Sequence, residues 1–475
     1  MPAPALTPEQ ATATMRSRRY VALLLVVAIV GIVVSLASWG FLELIYQLQR
    51  ELYTHLPSAL GYHHGPPLWW PFPVLAIAAV IVALAILHLP GEGGHLPARG
   101  LSMGGATLPV DLPGVVLAGL AAVASGLVLG PEAPLIALGG GTALLTIKLA
   151  RRQMPQQAVL IIGAAGSFAA VSFIFASPLI AAVLLIEATG IGGARLPVVL
   201  LPGLLSAGIG TLVAIGMGSF TGLSTSAFAL GPLTLPHFGH PDIAQFGWTI
   251  ALAIVVAVVA RALMQGGMAT YGIVHRRLLA CLPLVGLIIA GLALAFHGAT
   301  GRSFQEVLFS GQDALPGLVS QAGTWSLSAL ALLIVFKGLG YALSLGSFRG
   351  GPTFPALLLG AAGGIMMSRL PGYTLEPAVA VGMGTAIAAV LRLPLSAVVL
   401  ATLLTAKAGT GDEPLIIVGV VVAFLVTLVL TGRAPAVGGA PAKGSADAAP
   451  PQQPADAEAA PVTAAVAQPG GAAGS

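Results

Sequence analysis

Few side chains in this sequence can carry a charge or move a proton, and the most unusually placed is Glu132. It stands in GPEAPLIALGG (130–140), inside an apolar stretch with no other acid. A near copy, GPTFPALLLGA (351–361), lies 221 positions downstream and has no acid. Proline fits the first helical position, where its missing N–H is not needed, and a glycine before it lets backbones approach closely. Both segments therefore read as helix starts. The first turn of a helix exposes free N–H groups and the positive end of the macrodipole, which favours a nearby negative charge by about 0.3–2 kcal/mol. Two such starts facing each other would hold an anion without any full positive charge. Glu132 falls in one of those first turns. Its ionised carboxylate would mimic the anion, occupying the site when empty and leaving when protonated or displaced. The competing reading is a carboxylate that only caps its own helix. An ionisable group deep in a bilayer costs at least ~2.5 kcal/mol unless paired, which favours the functional reading.

The elements that must position this residue are membrane helices. The chain has 475 residues, 57% hydrophobic and only 8% charged, against roughly a quarter charged in soluble domains. Apolar runs recur at 20–42, 69–87, 112–129, 134–149, 158–175, 178–186, 196–217, 243–263, 278–296, 327–345, 355–367, 378–390, 394–404 and 415–430. Spanning a hydrocarbon core takes about 20 residues, so several runs are too short to cross alone. None alternates with period two, so the expected fold is all-α and integral to the membrane. Half-length helices are tolerated where their ends are buried in protein or face a water-filled cavity, and so point to a transport path.

The sequence is also written twice. Gly130, Pro131, Pro134, Leu138 and Gly139 match Gly351, Pro352, Pro355, Leu359 and Gly360. GSFAAVSFIFASPLIAAV (166–183) faces GMGTAIAAVLRLPLSAVV (382–399) at an offset of 216. The two motifs keep their order in both halves, as in transporters whose ion sits at a repeat interface near the midplane. This divides the chain into an N-terminal tail (1–19), a first repeat (20–217), a polar Gly/Pro-rich connection (218–242), a second repeat (243–432) and an Ala/Pro/Gly-rich tail (433–475), expected to be disordered. Arg16, Arg18 and Arg19 before the first apolar run place the N-terminus in the cytoplasm; a cleaved signal peptide is the alternative. The net charge of +4 reflects such flanking residues and implies no nucleic-acid partner.

Other reactive residues read less specifically. Cys281 is the one cysteine, which excludes an internal disulfide framework. His55, His63 and His64 stand near Glu43, Arg50 and Glu51, where a metal site competes with a plain surface loop. Lys148, Arg151 and Arg152 read as a helix end at the headgroups. GLSMG (100–104) fits the nucleophile-elbow pattern around Ser102, but a strand before it and a helix after it are missing, so an intramembrane serine hydrolase is a remote alternative and the chain reads as no enzyme.

Taken together, GPEAP and GPTFP resemble the CLC family of chloride channels and proton-coupled anion exchangers. In that family a Gly-x-Glu-Gly-Pro segment supplies a gating glutamate, and a Gly-x-Phe-x-Pro segment opens the repeat partner. The likeness runs from about Tyr20 to Gly432 and includes SPLIAAVLLIEATG and VLFSGQ. The resemblance implies a bundle of two inverted repeats with broken, tilted helices, and a homodimer with one pore per subunit in the cell membrane of a prokaryote. It further implies transport of chloride or a similar anion, with no cofactor. Gly130, Ala133, Gly351, Thr353 and Phe354 then become anion-binding positions around a gate at Glu132. Pro131 stands where the family has arginine and Ala133 where it has glycine. Pro352 removes an N–H, and Thr353 replaces a phenylalanine while offering a hydroxyl. The family's Gly-Ser-Gly-Ile-Pro loop should fall at GEGGHLP (91–97), which lacks the serine and makes Gly94 and His95 the corresponding path residues. The family's internal proton glutamate maps to Ala188. Glu187 is one residue earlier, about 100° away on a helix, so it reads equally as a relay or as a helix-end marker. The family's inner tyrosine would lie beyond Gly432, where none occurs. These losses lean toward a channel or weakly coupled pathway; a chloride/proton antiporter, or a pathway for nitrate or fluoride, is the alternative.

Overall fold

A computed structural model describes residues 7–101, 107–151, 154–221 and 230–432. Ser102, Arg152, residues 222–229 of the connection between the repeats and the tail 433–475 lie outside the described residues. The first half holds α1 (Pro8–Arg16), α2 (Arg18–Arg50), α3 (Leu56–Ala59), α4 (Pro71–His88), α5 (Leu112–Ala124), α6 (Glu132–Leu149), α7 (Gln156–Phe175), α8 (Pro178–Thr189) and α9 (Leu196–Thr221). The second holds α10 (Ile243–Val274), α11 (Leu278–Thr300), α12 (Ala314–Ser320), α13 (Leu327–Ser347), α14 (Thr353–Met367), α15 (Leu375–Leu391), α16 (Pro394–Leu404) and α17 (Glu413–Thr431). Among the described residues nine helices are long and apolar enough to cross a membrane, while α5, α8, α14, α15 and α16 are shorter. The protein is an all-α, multi-pass membrane protein.

Local sequence explains where helices begin. The Ser17, Ser177 and Ser326 hydroxyls accept N–H bonds in the first turns of α2, α8 and α13, and Asp242 forms a reciprocal capping box with Gln245 at α10. Proline in the first turn starts α4, α5, α8, α16 and α17. Helices α7 and α15 both end in a left-handed non-glycine residue, Ala176 (φ 47°) and Arg392 (φ 58°). These two positions are 216 residues apart, the offset of the sequence repeat.

Packing repeats as well. Helix α2 packs on α5, α6, α7 and α9, as α10 does on α13, α14, α15 and α17. The α6–α7, α7–α8, α7–α9 and α8–α9 contacts recur as α14–α15, α15–α16, α15–α17 and α16–α17, and α4–α5 recurs as α11–α13. Equivalent helices meet across the halves in the pairs α4–α11 and α8–α16. A contact between equivalent elements is what a two-fold relation produces.

Small residues let the repeated pairs close. A Cβ on Gly139 would meet the Gly166 carbonyl oxygen at 2.5 Å, and one on Gly360 would overlap that of Gly382, so backbone lies on backbone in both pairs. Every residue from Pro377 to Leu391 in α15 is buried, which accounts for its being apolar on all sides. By contrast Leu25, Ile29, Ile77, Leu212, Val255 and Leu284 are exposed on outer faces, the arrangement that suits contact with lipid tails.

Candidate functional site

Two turns of backbone carry the site. Helix α5 stops at Ala124, the chain runs on to Gly130, and α6 starts at Glu132. In the second half α13 stops at Ser347 and α14 starts at Thr353. Gly130 and Gly351, the equivalent glycines, form an antiparallel bridge: each amide donates to the other's carbonyl, at 2.8 and 2.5 Å. That bridge sets the N-termini of α6 and α14 head to head. Pro131 and Pro352 occupy the N-cap position with nearly the same backbone angles (φ −82°, ψ −1° and φ −88°, ψ −6°). The prolines thus sit one residue earlier than the first helical position expected from sequence, and still use no N–H of their own.

Glu132 fills the junction. It is 2% exposed, and its Oε1 accepts a hydrogen bond from the Phe354 amide at 3.0 Å, reaching from the first helix start to the second. The Glu132 amide and the amide and hydroxyl of Thr353 are directed at the same carboxylate. Its Oε2 has no partner among the described residues. Glycine at both bridge positions leaves the carboxylate its space, because a Cβ on Gly130 or on Gly351 would run into Glu132 where it now lies. The first-turn N–H groups of two helices therefore converge on one acid group, a preformed site for negative charge.

Residues beyond the two motifs hold this junction. The Tyr341 hydroxyl on α13 donates to the Pro352 carbonyl at 2.7 Å, and Ser344 Oγ accepts from the Val128 amide at 3.2 Å. Lys337 is fully buried, and its ammonium donates to the carbonyls of Glu306, Val307, Leu308 and Phe309 at 2.8–3.3 Å. Phe309, left-handed at φ 61°, donates its amide to Gly126 and packs edge-on against Tyr53. Lys337 thereby fixes the segment on which the α5–α6 turn rests. Tyr341, Ser344, Lys337 and Arg349 lie outside both Gly-Pro motifs. A lysine within LLIVFKGLGY was a visible signal, since an intramembrane cation needs a partner; nothing in the sequence marked Tyr341.

Of the other positions expected from sequence, Ala133 follows Glu132 in the same turn and is half-buried. Gly94 (φ 100°) and His95 lie in a separate loop, where the His95 ring is hydrogen-bonded to the Gly100 carbonyl at 2.8 Å. That loop joins the junction through Arg349, whose Nε donates to the Glu92 carbonyl at 3.1 Å. Burial, with the fields of Arg99 and Arg349, holds the His95 pKa below its ordinary value. Glu187 is elsewhere: Oε1 accepts from the Leu395 amide, and Oε2 from the Ser396 amide and hydroxyl, at 2.6–2.9 Å. Its carboxylate caps the N-terminus of α16. His55 pairs with Glu51 one turn away, at 2.8 Å.

A cavity of about 40 Å³ reaches this end of α6, lined by Pro131, Gln49, Ser310, Gln312 and Asp313 among others. That volume holds one or two water molecules or a halide ion. The profile of the family described as "Voltage gated chloride channel" matches residues 98–428, a span that includes both helix starts.

The chain belongs to this chloride channel family. The match begins just after the GEGGHLP loop. YfeO proteins of Escherichia coli (strain SE11) and Shigella boydii serotype 4 (strain Sb227), which are named for ion transport, are each 30% identical to it over 362 residues, covering 74% of this chain and 80% of theirs. In fold it is similar to a slow cyanobacterial Cl−/H+ antiporter, with TM-score 0.69 and 21% identity over 86% of this chain and 95% of that one. It is also similar to a CLC-type fluoride/proton antiporter, with TM-score 0.62 and 18% identity over 89% and 97%. A CLC fold of two inverted repeats with broken helices is therefore the architecture here, and the family is one of transport proteins rather than enzymes.

Proposed function

We propose that this protein carries chloride or a similar small anion across a membrane and that Glu132 is the gate. The observation behind this is the Glu132 carboxylate lodged between two helix N-termini, taking the Phe354 amide. Such a group competes with the anion for the same donors, so its departure opens the path. Gly130, Ala133, Gly351, Thr353 and Phe354 form the anion's surroundings in this reading. Gly94 and His95 belong to the approach. The two halves, 20–217 and 243–432, act as one pathway per subunit, in a homodimer in a prokaryotic cell membrane.

Conduction is passive or weakly coupled to protons in this reading. Ala188 has nothing to titrate, and both oxygens of Glu187 are occupied by α16. The antiporter reading is kept by one observation, a single protonatable group at the junction itself. The test uses purified protein in chloride-loaded liposomes with a potassium shunt, following chloride and pH together. Chloride efflux without proton movement is expected, and Glu132→Gln should hold the gate open and remove pH dependence. Proton uptake in fixed ratio to chloride would establish the antiporter. Flux and pH response unchanged by Glu132→Gln would sink the gate assignment. Substituting nitrate or fluoride for chloride in the same assay ranks the anions.

A further inference from the structure

We propose that Arg261 and Arg392 hold the phosphate of an anionic phospholipid, one of whose acyl chains lies in the apolar groove between α10, α13, α14 and α15. The site does not depend on the transport reading. The groove measures about 210 Å³ and is lined by Leu252, Val256, Leu263, Gly363, Ala386 and Val390 among others. Tyr341 is the lining residue with a hydroxyl, and that hydroxyl is already donated to the Pro352 carbonyl. The groove therefore favours hydrocarbon over water. Val255 and Val259 also line it and are 58% and 38% exposed, so it opens on an outer face that suits lipid tails. At Gly363 a Cβ would come no nearer than 3.9 Å to Val256 and 4.0 Å to Leu252, so the missing side chain leaves real space.

Both arginines stand at one end of this groove. Thr249 on α10 lies level with Val381 and Thr385 on α15, since all three surround Gly419. Further along both helices Arg392 lies within the field of Arg261, so α10 and α15 run in parallel and reach the two arginines together. Leu263 and Val390, two residues from each, line the groove itself. From Ile243 to Ala260 α10 carries no charged residue. That stretch measures about 27 Å as a helix, close to the thickness of a hydrocarbon core, so Arg261 is where α10 leaves it.

Neither charge is neutralised by the described residues, among which the ion pair within 4.0 Å is His55–Glu51. The Arg261 Nε is buried and has no hydrogen-bond partner among them. Arg392 is left-handed at φ 58°, but its repeat equivalent Ala176 is left-handed too, at φ 47°, so the turn itself does not call for arginine. Two neighbouring guanidinium groups repel each other until an anion bridges them, and a phosphodiester can accept charge-assisted bonds from both. Their aliphatic stems can lie along the groove wall while the heads reach the headgroup level. A free anion would satisfy the arginines and leave the groove empty. A phospholipid uses both, as in other basic pockets between membrane helices.

Native mass spectrometry of the full chain in neutral detergent tests this, with phosphatidylglycerol, phosphatidylcholine and glycerol phosphate as probes. Phosphatidylglycerol should be retained, and phosphatidylcholine, whose phosphate is balanced by its own cation, should be lost. Combining Arg261→Gln with Arg392→Gln should raise the half-saturating phosphatidylglycerol concentration about thirtyfold, the worth of two arginines at a membrane surface. Arg261→Lys with Arg392→Lys should recover most of that affinity, which separates lost charge from a misfolded variant. Gly363→Leu, which fills the groove and keeps both charges, should weaken phosphatidylglycerol binding and leave glycerol phosphate binding as it was. Phosphatidylglycerol retention unchanged in the double glutamine variant would overturn the proposal. So would glycerol phosphate binding as tightly as the phospholipid, which would make this a free-phosphate site. Equal retention of phosphatidylcholine would also overturn it, because the arginines would then select nothing.

Discussion

Glu132 and Gly130 are a single device. The glycine has no side chain because the carboxylate needs the space a methyl group would take. Gly130→Ala should therefore lower thermal stability in detergent, and Glu132→Ala should largely relieve that loss. The expected coupling between the two changes is about 1–3 kcal/mol, the usual range for overpacking and for residues in contact. Equal losses in both backgrounds would mean that the carboxylate rests elsewhere in solution. The Glu132 motif was legible in the sequence, because an acid in an apolar run stands out. The donor it meets was not. Phe354 is 222 residues away, and only the bridge between Gly130 and Gly351 brings its amide within 3.0 Å.

Helix ends carry the chemistry in this molecule, and Glu187 shows how much an acid's partners add to its position on a single helix. By spacing it is one residue off the family's internal proton glutamate. By contact it is the cap of α16, a helix that begins more than 200 residues later. Glu187→Gln should cost about 1 kcal/mol of stability, the worth of a cap, and leave the proton-to-anion ratio where it was. A changed ratio would restore the relay role. Lys337 is the complementary case: a cation in mid-helix that satisfies four consecutive carbonyls of another segment. Its place in a span was readable, but its partners depend on how α13 lies against residues 306–309.

Across the whole bundle one close contact occurs in both halves, as Gly139–Gly166 and Gly360–Gly382. Gly139→Ala and Gly360→Ala should each destabilise the protein by about 1–3 kcal/mol, because the new methyl group faces a backbone oxygen that cannot step aside. Thermal melting in detergent checks this, and a variant tolerated without loss would show that its helix pair closes loosely. Composition by itself determined the membrane environment and the all-helical class, since unsatisfied backbone cannot lie in lipid. The 221- and 216-residue offsets revealed the duplication, and the acid at 132 marked the candidate gate. The tertiary structure alone decided that the two helix starts meet and that Glu187 is a cap. Hydrophobic pattern is local, whereas the partner of a buried polar group is fixed by which distant backbone the packing of small residues allows to come near.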